Sequence, residues 1–173
     1  MELEQFIRNV PDFPKKGIGF KDITTLLKKG DAFKEAIDRI YENFKSSRVD
    51  SVAGIEARGF IIGAALAYKW GIGFIPIRKP GKLPAKTVKE EYSLEYGTDA
   101  VEMHIDAIKK GEKVLLVDDL LATGGTIKAS CNLIEKCGGI VAGIAFLVEL
   151  NFLNGRKKIN KYDVFSLIKF KNE

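Results

Sequence analysis

Asp118 and Asp119 stand at the end of a continuous apolar run, Val114 to Val117, and the chain then turns small and hydroxylated at Thr123, Gly124, Gly125 and Thr126. Adjacent carboxylates can accept hydrogen bonds from vicinal hydroxyls. Small residues at a helix start leave backbone N–H groups and hydroxyls free for an anion, and the helix dipole favours negative charge there. The periodic positions Ile127, Cys131, Ile134 and Cys137 predict that helix. Together the two halves fit a phosphorylated sugar, with Asp118 and Asp119 on ribose hydroxyls and Ala122, Thr123, Gly124, Gly125 and Thr126 around the 5′-phosphate. A P-loop would end in Gly-Lys-Ser/Thr, and a dinucleotide fingerprint would be glycine-first rather than acid-first. A glycosidase pair needs carboxyls set apart across the scissile bond, whereas adjacent acids beside a phosphate loop grip one sugar.

Three other clusters carry chemistry. Gly54-Ile55-Glu56-Ala57-Arg58-Gly59 again joins an apolar strand to a helix. Arg58 can donate several hydrogen bonds to phosphate oxygens, and the small neighbours let the backbone approach a bulky anion. Arg78, Lys79 and Lys82, in Ile77-Arg78-Lys79-Pro80-Gly81-Lys82-Leu83-Pro84, could neutralise a leaving pyrophosphate, most effectively once closure removes water. In Tyr92-Ser93-Leu94-Glu95-Tyr96-Gly97 one acid lies between aromatics and could reach a reacting centre; a plain β-hairpin is the other reading. Towards the N-terminus, Pro14 to Thr24 contains Gly19-Phe20-Lys21. Phe20 could stack on a flat heterocycle while the Gly19 and Lys21 backbones read its edge, although Phe20 alone could be an ordinary core residue.

These clusters need a frame. Periodicity predicts helices near Ala32 to Phe44 and Phe60 to Trp70, and strands at Ser51 to Ile55, Gly73 to Ile77, Val114 to Val117, Ile140 to Leu147 and Tyr162 to Ile168. Repeated strand–helix–strand units predict an α/β fold, an open, mostly parallel sheet with helices on both faces and ligands at the strand C-termini near the topological switch. Arg78 to His104 interrupts the pattern. It is charged, contains glycine and alternates weakly, as expected of a two-stranded excursion or mobile hood.

The 173 residues predict one domain, 1–173, able to bury its own core. No apolar run approaches membrane-spanning length and Glu2 and Glu4 replace any apolar leader, so a cytoplasmic location is expected with no membrane partner. Cys131 and Cys137 lack disulfide or zinc spacing and are expected to be small core residues. The net charge of +5 comes from dispersed basic residues without an aromatic-interleaved stripe, which argues against nucleic acid and for an anionic small substrate. Arg156 to Lys161 and Lys169 to Lys171 are expected to be solvated surface. His104 is expected to serve structure or surface rather than catalysis.

The stretch from Val114 to Thr126 resembles the sugar-pyrophosphate motif of the type I phosphoribosyltransferases, and with the other clusters most of the chain is similar to the adenine-specific members of that family. The resemblance implies the type I fold with a base-recognition region over 1–30 and a mobile catalytic hood over 80–98. It implies transfer of the 5-phosphoribosyl group from 5-phosphoribosyl-1-pyrophosphate to adenine, giving AMP and pyrophosphate, with Mg²⁺ held mainly by substrate oxygens and water. Adenine recognition then falls to Phe20, the Gly19 and Lys21 backbones and Leu150. Ribose binding falls to Asp118 and Asp119, and the 5′-phosphate to Ala122 through Thr126. Pyrophosphate handling falls to Arg58, Arg78 and Lys82, and Glu95 acts as electrostatic stabiliser or proton handler. Lys21 stands where several relatives carry arginine. The Glu56–Ala57 peptide is a candidate for cis geometry, and a homodimer is implied. The competing readings are a transferase for another purine and a non-catalytic sensor of the sugar pyrophosphate. The sensor would be marked by a DNA-reading module or basic recognition helix, which this sequence does not display.

Overall fold

Continuous apolar strands, whose successive side chains point to opposite faces, build two cores, one on each side of a parallel sheet. The computed structural model describes residues 1–94 and 96–172. A 3₁₀ turn at Leu3–Phe6 leads into β1 (Arg8–Val10), which pairs antiparallel with β2 (Phe20–Asp22). The helices α1 (Thr24–Lys28) and α2 (Gly30–Phe44) follow, then β3 (Ser51–Ile55), α3 (Arg58–Trp70) and β4 (Gly73–Ile77). The chain leaves the sheet for the antiparallel pair β5 (Thr87–Ser93) and β6 (Thr98–His104). It returns through β7 (Lys113–Leu121), α4 (Gly125–Lys136), β8 (Ile140–Leu150) and β9 (Val164–Phe170), with 3₁₀ turns at Asn151–Leu153 and Gly155–Ile159 before β9.

The five-stranded sheet has the order β4-β3-β7-β8-β9, and every neighbouring pair is parallel. Leu115 and Val117 of β7, with Ala145 and Leu147 of β8, face the core shared with α2 and α3. Val114, Leu116, Ile144 and Phe146 face the other, shared with α4 and with Val101 and Met103 of β6. Burial on both faces is why these strands read as continuous apolar runs. α2 contributes Ala32, Ala36, Ile37, Ile40 and Phe44, a stripe at helical spacing. The chain runs from β3 towards one edge of the sheet and from β7 towards the other. The loops after these adjacent strands therefore open into one crevice, the position at which such sheets bind ligands.

Expectation and structure differ in instructive places. Strands β3 and β4 have the bounds read from sequence, and the excursion is two-stranded. β7 continues through both acids to Leu121, because Asp118, Leu120 and Leu121 pair with Phe146, Val148 and Glu149 of β8. The acids therefore sit on a strand rather than in a loop after it. Of the two cysteines, Cys131 is buried, whereas Cys137 is only half-buried where α4 ends. The basic tract from Arg156 is not simply solvated surface, since Arg156 lies in a partly buried hydrogen-bond network.

Candidate active site

The crevice between the ends of β3 and β7 holds a cleft of about 240 Å³, whose lining includes Glu56, Arg58, Arg78, Asp118, Asp119 and Thr126. β3 delivers Glu56 and Ala57, joined by a cis peptide, and Arg58 opens α3. β7 delivers the two acids from the facing strand. Arg58 Nε donates to Asp119 Oδ2, and the Asp119 N–H donates to Asp118 Oδ1 at 2.9 Å. Burial, followed by the adjacent Asp119 carboxylate, pushes the Asp118 carboxyl well above its ordinary value; the charge of Arg58 pulls the other way without prevailing. A Cβ on Gly59 would lie 2.8 Å from Asp118 Oδ1 and 3.1 Å from the Val117 carbonyl oxygen. Glycine there lets α3 lie directly against the acids.

On the opposite wall Glu56 organises the cations. It accepts from Arg78 Nη2 at 2.9 Å and Nε at 3.2 Å, and from the Lys79 N–H at 2.5 Å. Burial raises its carboxyl, but the Lys79 N–H and Arg78 outweigh that and hold it below the ordinary value. Arg78 Nη1 donates to the Lys82 carbonyl at 3.3 Å, and the Lys82 side chain itself is exposed. Lys79 turns instead to the hood, where its Nζ donates to Asp99 and, at 3.2 Å, to Tyr92 Oη.

Tyr92 ties the hood to the phosphate loop. Its hydroxyl accepts from Thr126 Oγ1 at 3.0 Å and donates to Asp99 Oδ2 at 3.1 Å. Its one local sign in the sequence is position: from Val88 onward β5 alternates, with Val88, Glu90 and Tyr92 half-buried and Lys89, Glu91 and Ser93 exposed. His104 accepts from the Ala85 N–H at 3.3 Å, in keeping with structural service.

The phosphate loop lies beside the cleft around a notch of about 80 Å³ that Asp118 and Ala122 through Ile127 help to line. Gly124 is the N-cap of α4, with φ of 83° and no side-chain capping bond. The left-handed backbone favours glycine, and the first N–H groups of α4 remain available to an anion. Thr123 is exposed, whereas Gly125 and Thr126 are half-buried.

Phe20 does not line the cleft; Arg58 links it there. The Arg58 guanidinium lies 5.4 Å from the Phe20 ring centroid, and Phe13 packs edge-on at 5.1 Å. Lys21, on the opposite side of β2, is buried with Nζ donating to Asn9 Oδ1 at 2.8 Å and lying 4.4 Å from the Phe170 ring. Its ammonium is thus committed away from Phe20, leaving the backbone of the exposed Gly19 and of Lys21 for recognition. Leu150 ends β8 and is buried in the core containing Ile7 and Ile23, which flank the β1–β2 ribbon. Glu95 lies outside the described residues.

The donor chemistry fits a Mg²⁺ carried on substrate oxygens. Asp118 and Asp119 line the cleft with carboxylate oxygens, the hard donor type that Mg²⁺ takes, and phosphate oxygens of a substrate would complete its shell. None of the described helices is long and apolar enough to cross a membrane.

Residues 21–173 match the phosphoribosyl transferase domain family. The chain is 61% identical over 170 residues to an adenine phosphoribosyltransferase of Brachyspira hyodysenteriae, covering 98% of this chain and 100% of that protein. It is similar to the crystal structure of adenine phosphoribosyltransferase from Thermoanaerobacter pseudethanolicus, at TM-score 0.95 and 57% identity over 98% of each chain. It also matches the Saccharomyces cerevisiae enzyme, solved with an imino-altritol bisphosphate and adenine, at TM-score 0.90 and 39% identity over 96% of each chain. The site geometry, the parallel sheet and these likenesses agree: the chain belongs to the adenine phosphoribosyltransferases of the type I phosphoribosyltransferase family.

Proposed function

We propose that this protein transfers the 5-phosphoribosyl group from 5-phosphoribosyl-1-pyrophosphate to adenine, forming AMP and releasing pyrophosphate with inversion at C1′. The observation that carries this reading is the meeting, in one cleft and the notch beside it, of paired acids, an uncapped helix N-terminus and the two guanidinium groups of Arg58 and Arg78. It is supported by extensive likeness to proteins named as adenine phosphoribosyltransferases.

The 5′-phosphate takes the N–H groups at the start of α4, and the ribose hydroxyls donate to Asp118 and Asp119. Arg58, paired with Asp119 in the free protein, turns to pyrophosphate oxygens as the ribose takes its place. Arg58 is nearly half exposed but the Asp119 side chain is only 8% exposed, so the exchange depends on the ribose hydroxyls donating to Asp119 as Arg58 leaves. Adenine lies on Phe20, with Leu150 on its far side and the Gly19 and Lys21 backbones at its edge. The C1′–O bond to pyrophosphate loosens as the adenine nitrogen approaches from the opposite face, and C1′ takes oxocarbenium character. The departing anion requires positive charge, which Arg58, Arg78 and Lys82 supply. Asp118 and Asp119 would be the carboxylates within reach of the water shell of a substrate-borne Mg²⁺, which would supply further charge neutralisation for the departing anion. Glu95 in the hood stabilises the ribosyl cation or manages the base proton. A single-turnover measurement on Glu95→Gln tests it: the chemical step should slow more than either substrate weakens, and an unchanged rate removes Glu95 from catalysis.

A product assay with adenine, guanine, hypoxanthine and xanthine tests the function. AMP and pyrophosphate should form from adenine, and chelation of Mg²⁺ should abolish the reaction. No AMP, or equal turnover of guanine or hypoxanthine, overturns the assignment; full activity without divalent ions overturns the metal requirement.

Phe20→Ala should weaken adenine use by about 1–3 kcal/mol, the range for lost base stacking on an aromatic platform, with the sugar pyrophosphate much less affected. Titration of each substrate against the folded variant measures the split. Equal weakening of both would show that Phe20 supports the fold rather than the base.

The working unit is proposed to be a homodimer in the cytoplasm. α3 presents Ile61, 44% exposed, and Tyr68, 90% exposed, on its outer face beside edge strand β4, an apolar surface suited to a second copy. Light scattering measures the mass, and a monomer at working concentration refutes the dimer.

A further inference from the structure

Building on the proposed transferase reading, we infer that Glu149, Gly155 and Arg156 form a brace that holds the phosphate loop in its anion-binding shape, a positioning role exercised without touching substrate. The loop has little to fix it locally, since Gly124 makes no side-chain cap. Its support comes from the turn Gly155–Ile159, whose backbone lies directly against it. A Cβ on Gly124 would lie 2.5 Å from the Gly155 carbonyl oxygen, and one on Gly155 would lie 2.2 Å from that of Ala122 and 3.0 Å from the Gly124 nitrogen. Two glycines, far apart in sequence, allow main chain to meet main chain under the loop.

That turn is short 3₁₀ structure entered through Asn154 at φ 55°, so it has little intrinsic rigidity. Arg156 secures it. Nε and Nη2 donate to the two oxygens of Glu149 at 2.9 and 2.5 Å, Nη1 to the Val164 carbonyl at 2.8 Å, and Nη2 also to Ser166 Oγ at 3.1 Å. The Glu149 side chain is only 5% exposed. Glu149 is in register with Leu121, the residue immediately before the loop. The path therefore closes from β7 to β8, through the guanidinium to the turn, and from Gly155 back to Ala122.

A planar fork makes these bonds and an ammonium cannot reproduce them. Arg156→Lys keeps the charge while loosening the turn. The KM for the sugar pyrophosphate and the Kd for ribose 5-phosphate, measured by calorimetry, should each rise roughly tenfold or more, because a misplacement of about 1 Å can cost on the order of 10²-fold. The KM for adenine should change much less. A wild-type Kd in Arg156→Lys, or equal weakening of both substrates, overturns the brace. Hydrogen exchange on the unaltered protein tests it without any variant: ribose 5-phosphate should protect 151–159 together with 122–126, and protection confined to 122–126 overturns it. Failure of the unaltered protein to bind ribose 5-phosphate at all would instead sink the phosphate-site reading on which the brace rests.

Discussion

Asp118→Asn combined with Asp119→Asn is expected to leave a folded protein whose kcat/KM for the sugar pyrophosphate falls by roughly 30- to 5,000-fold, the equivalent of about 2–5 kcal/mol for a hydrogen-bonded charge lost from a binding site. Asparagine keeps the shape and an acceptor oxygen at each position but removes the charge that draws two hydroxyls and orients C1′. Steady-state kinetics with circular dichroism on the same samples measure it. Near-normal efficiency in a folded variant would remove these residues from substrate positioning.

The single change Asp118→Asn carries a second expectation, for the free protein. Burial and Asp119 raise the Asp118 carboxyl in the folded chain, so the folded state holds its proton more tightly than the unfolded one. That contribution to stability is complete below the ordinary carboxylate range and is lost as pH rises through the raised value. Above the ordinary carboxylate range ionisation of Asp118 therefore opposes folding, and Asp118→Asn should raise Tm there relative to the wild type while activity falls. Thermal melts across the acid range decide it: the wild-type advantage at low pH should shrink as pH increases, and identical pH slopes for the two proteins would refute the raised carboxyl. A site that is destabilising when empty and productive when filled is a common trade between stability and activity.

Gly59→Ala is the second large effect. The added methyl would press on the Asp118 carboxylate at Oδ1, 2.8 Å away, and on backbone at the Val117 carbonyl and the Asp118 Cα, 3.1 and 3.2 Å away, so turning the carboxylate aside would not relieve the contact. Overpacking of this kind costs about 1–3 kcal/mol. Because the atom displaced is one proposed to hold the ribose, activity should drop by on the order of 10²-fold, more than stability loss alone would produce. Gly73→Ala provides the comparison, since a Cβ there meets nothing within 4 Å. Tm and kcat/KM on both variants test the contrast; equal behaviour would show that α3 can shift away from the acids without consequence.

The residue pattern alone determined the parallel sheet, its central strands and the two-stranded excursion. Continuous apolar runs buried on both faces leave a strong signature, and glycine or charge ends each one. It also located the paired acids, the phosphate loop and the Arg58 turn, because each lies in one unbroken stretch whose chemistry is local. The β1–β2 ribbon was not legible as strands, being three residues each and stabilised by partners ten to fourteen positions away, as in the pairing of Arg8 with Asp22 and Val10 with Phe20. Nor was the continuation of β7 through Asp118 and Asp119, where aspartate disfavours strand and only pairing with Phe146, Val148 and Glu149 of β8 carries the chain on. Only the tertiary structure decided that Arg58 bridges Asp119 and Phe20, that Glu56 gathers Arg78 and the Lys79 backbone, that Tyr92 joins hood to loop, and that Arg156 is a brace rather than solvated charge. The first three join groups more than twenty positions apart, and Arg156 reaches back to β8 and forward to β9 at once. No local period encodes them, because their partners are chosen by sheet order and by the close approaches that Gly59, Gly124 and Gly155 permit.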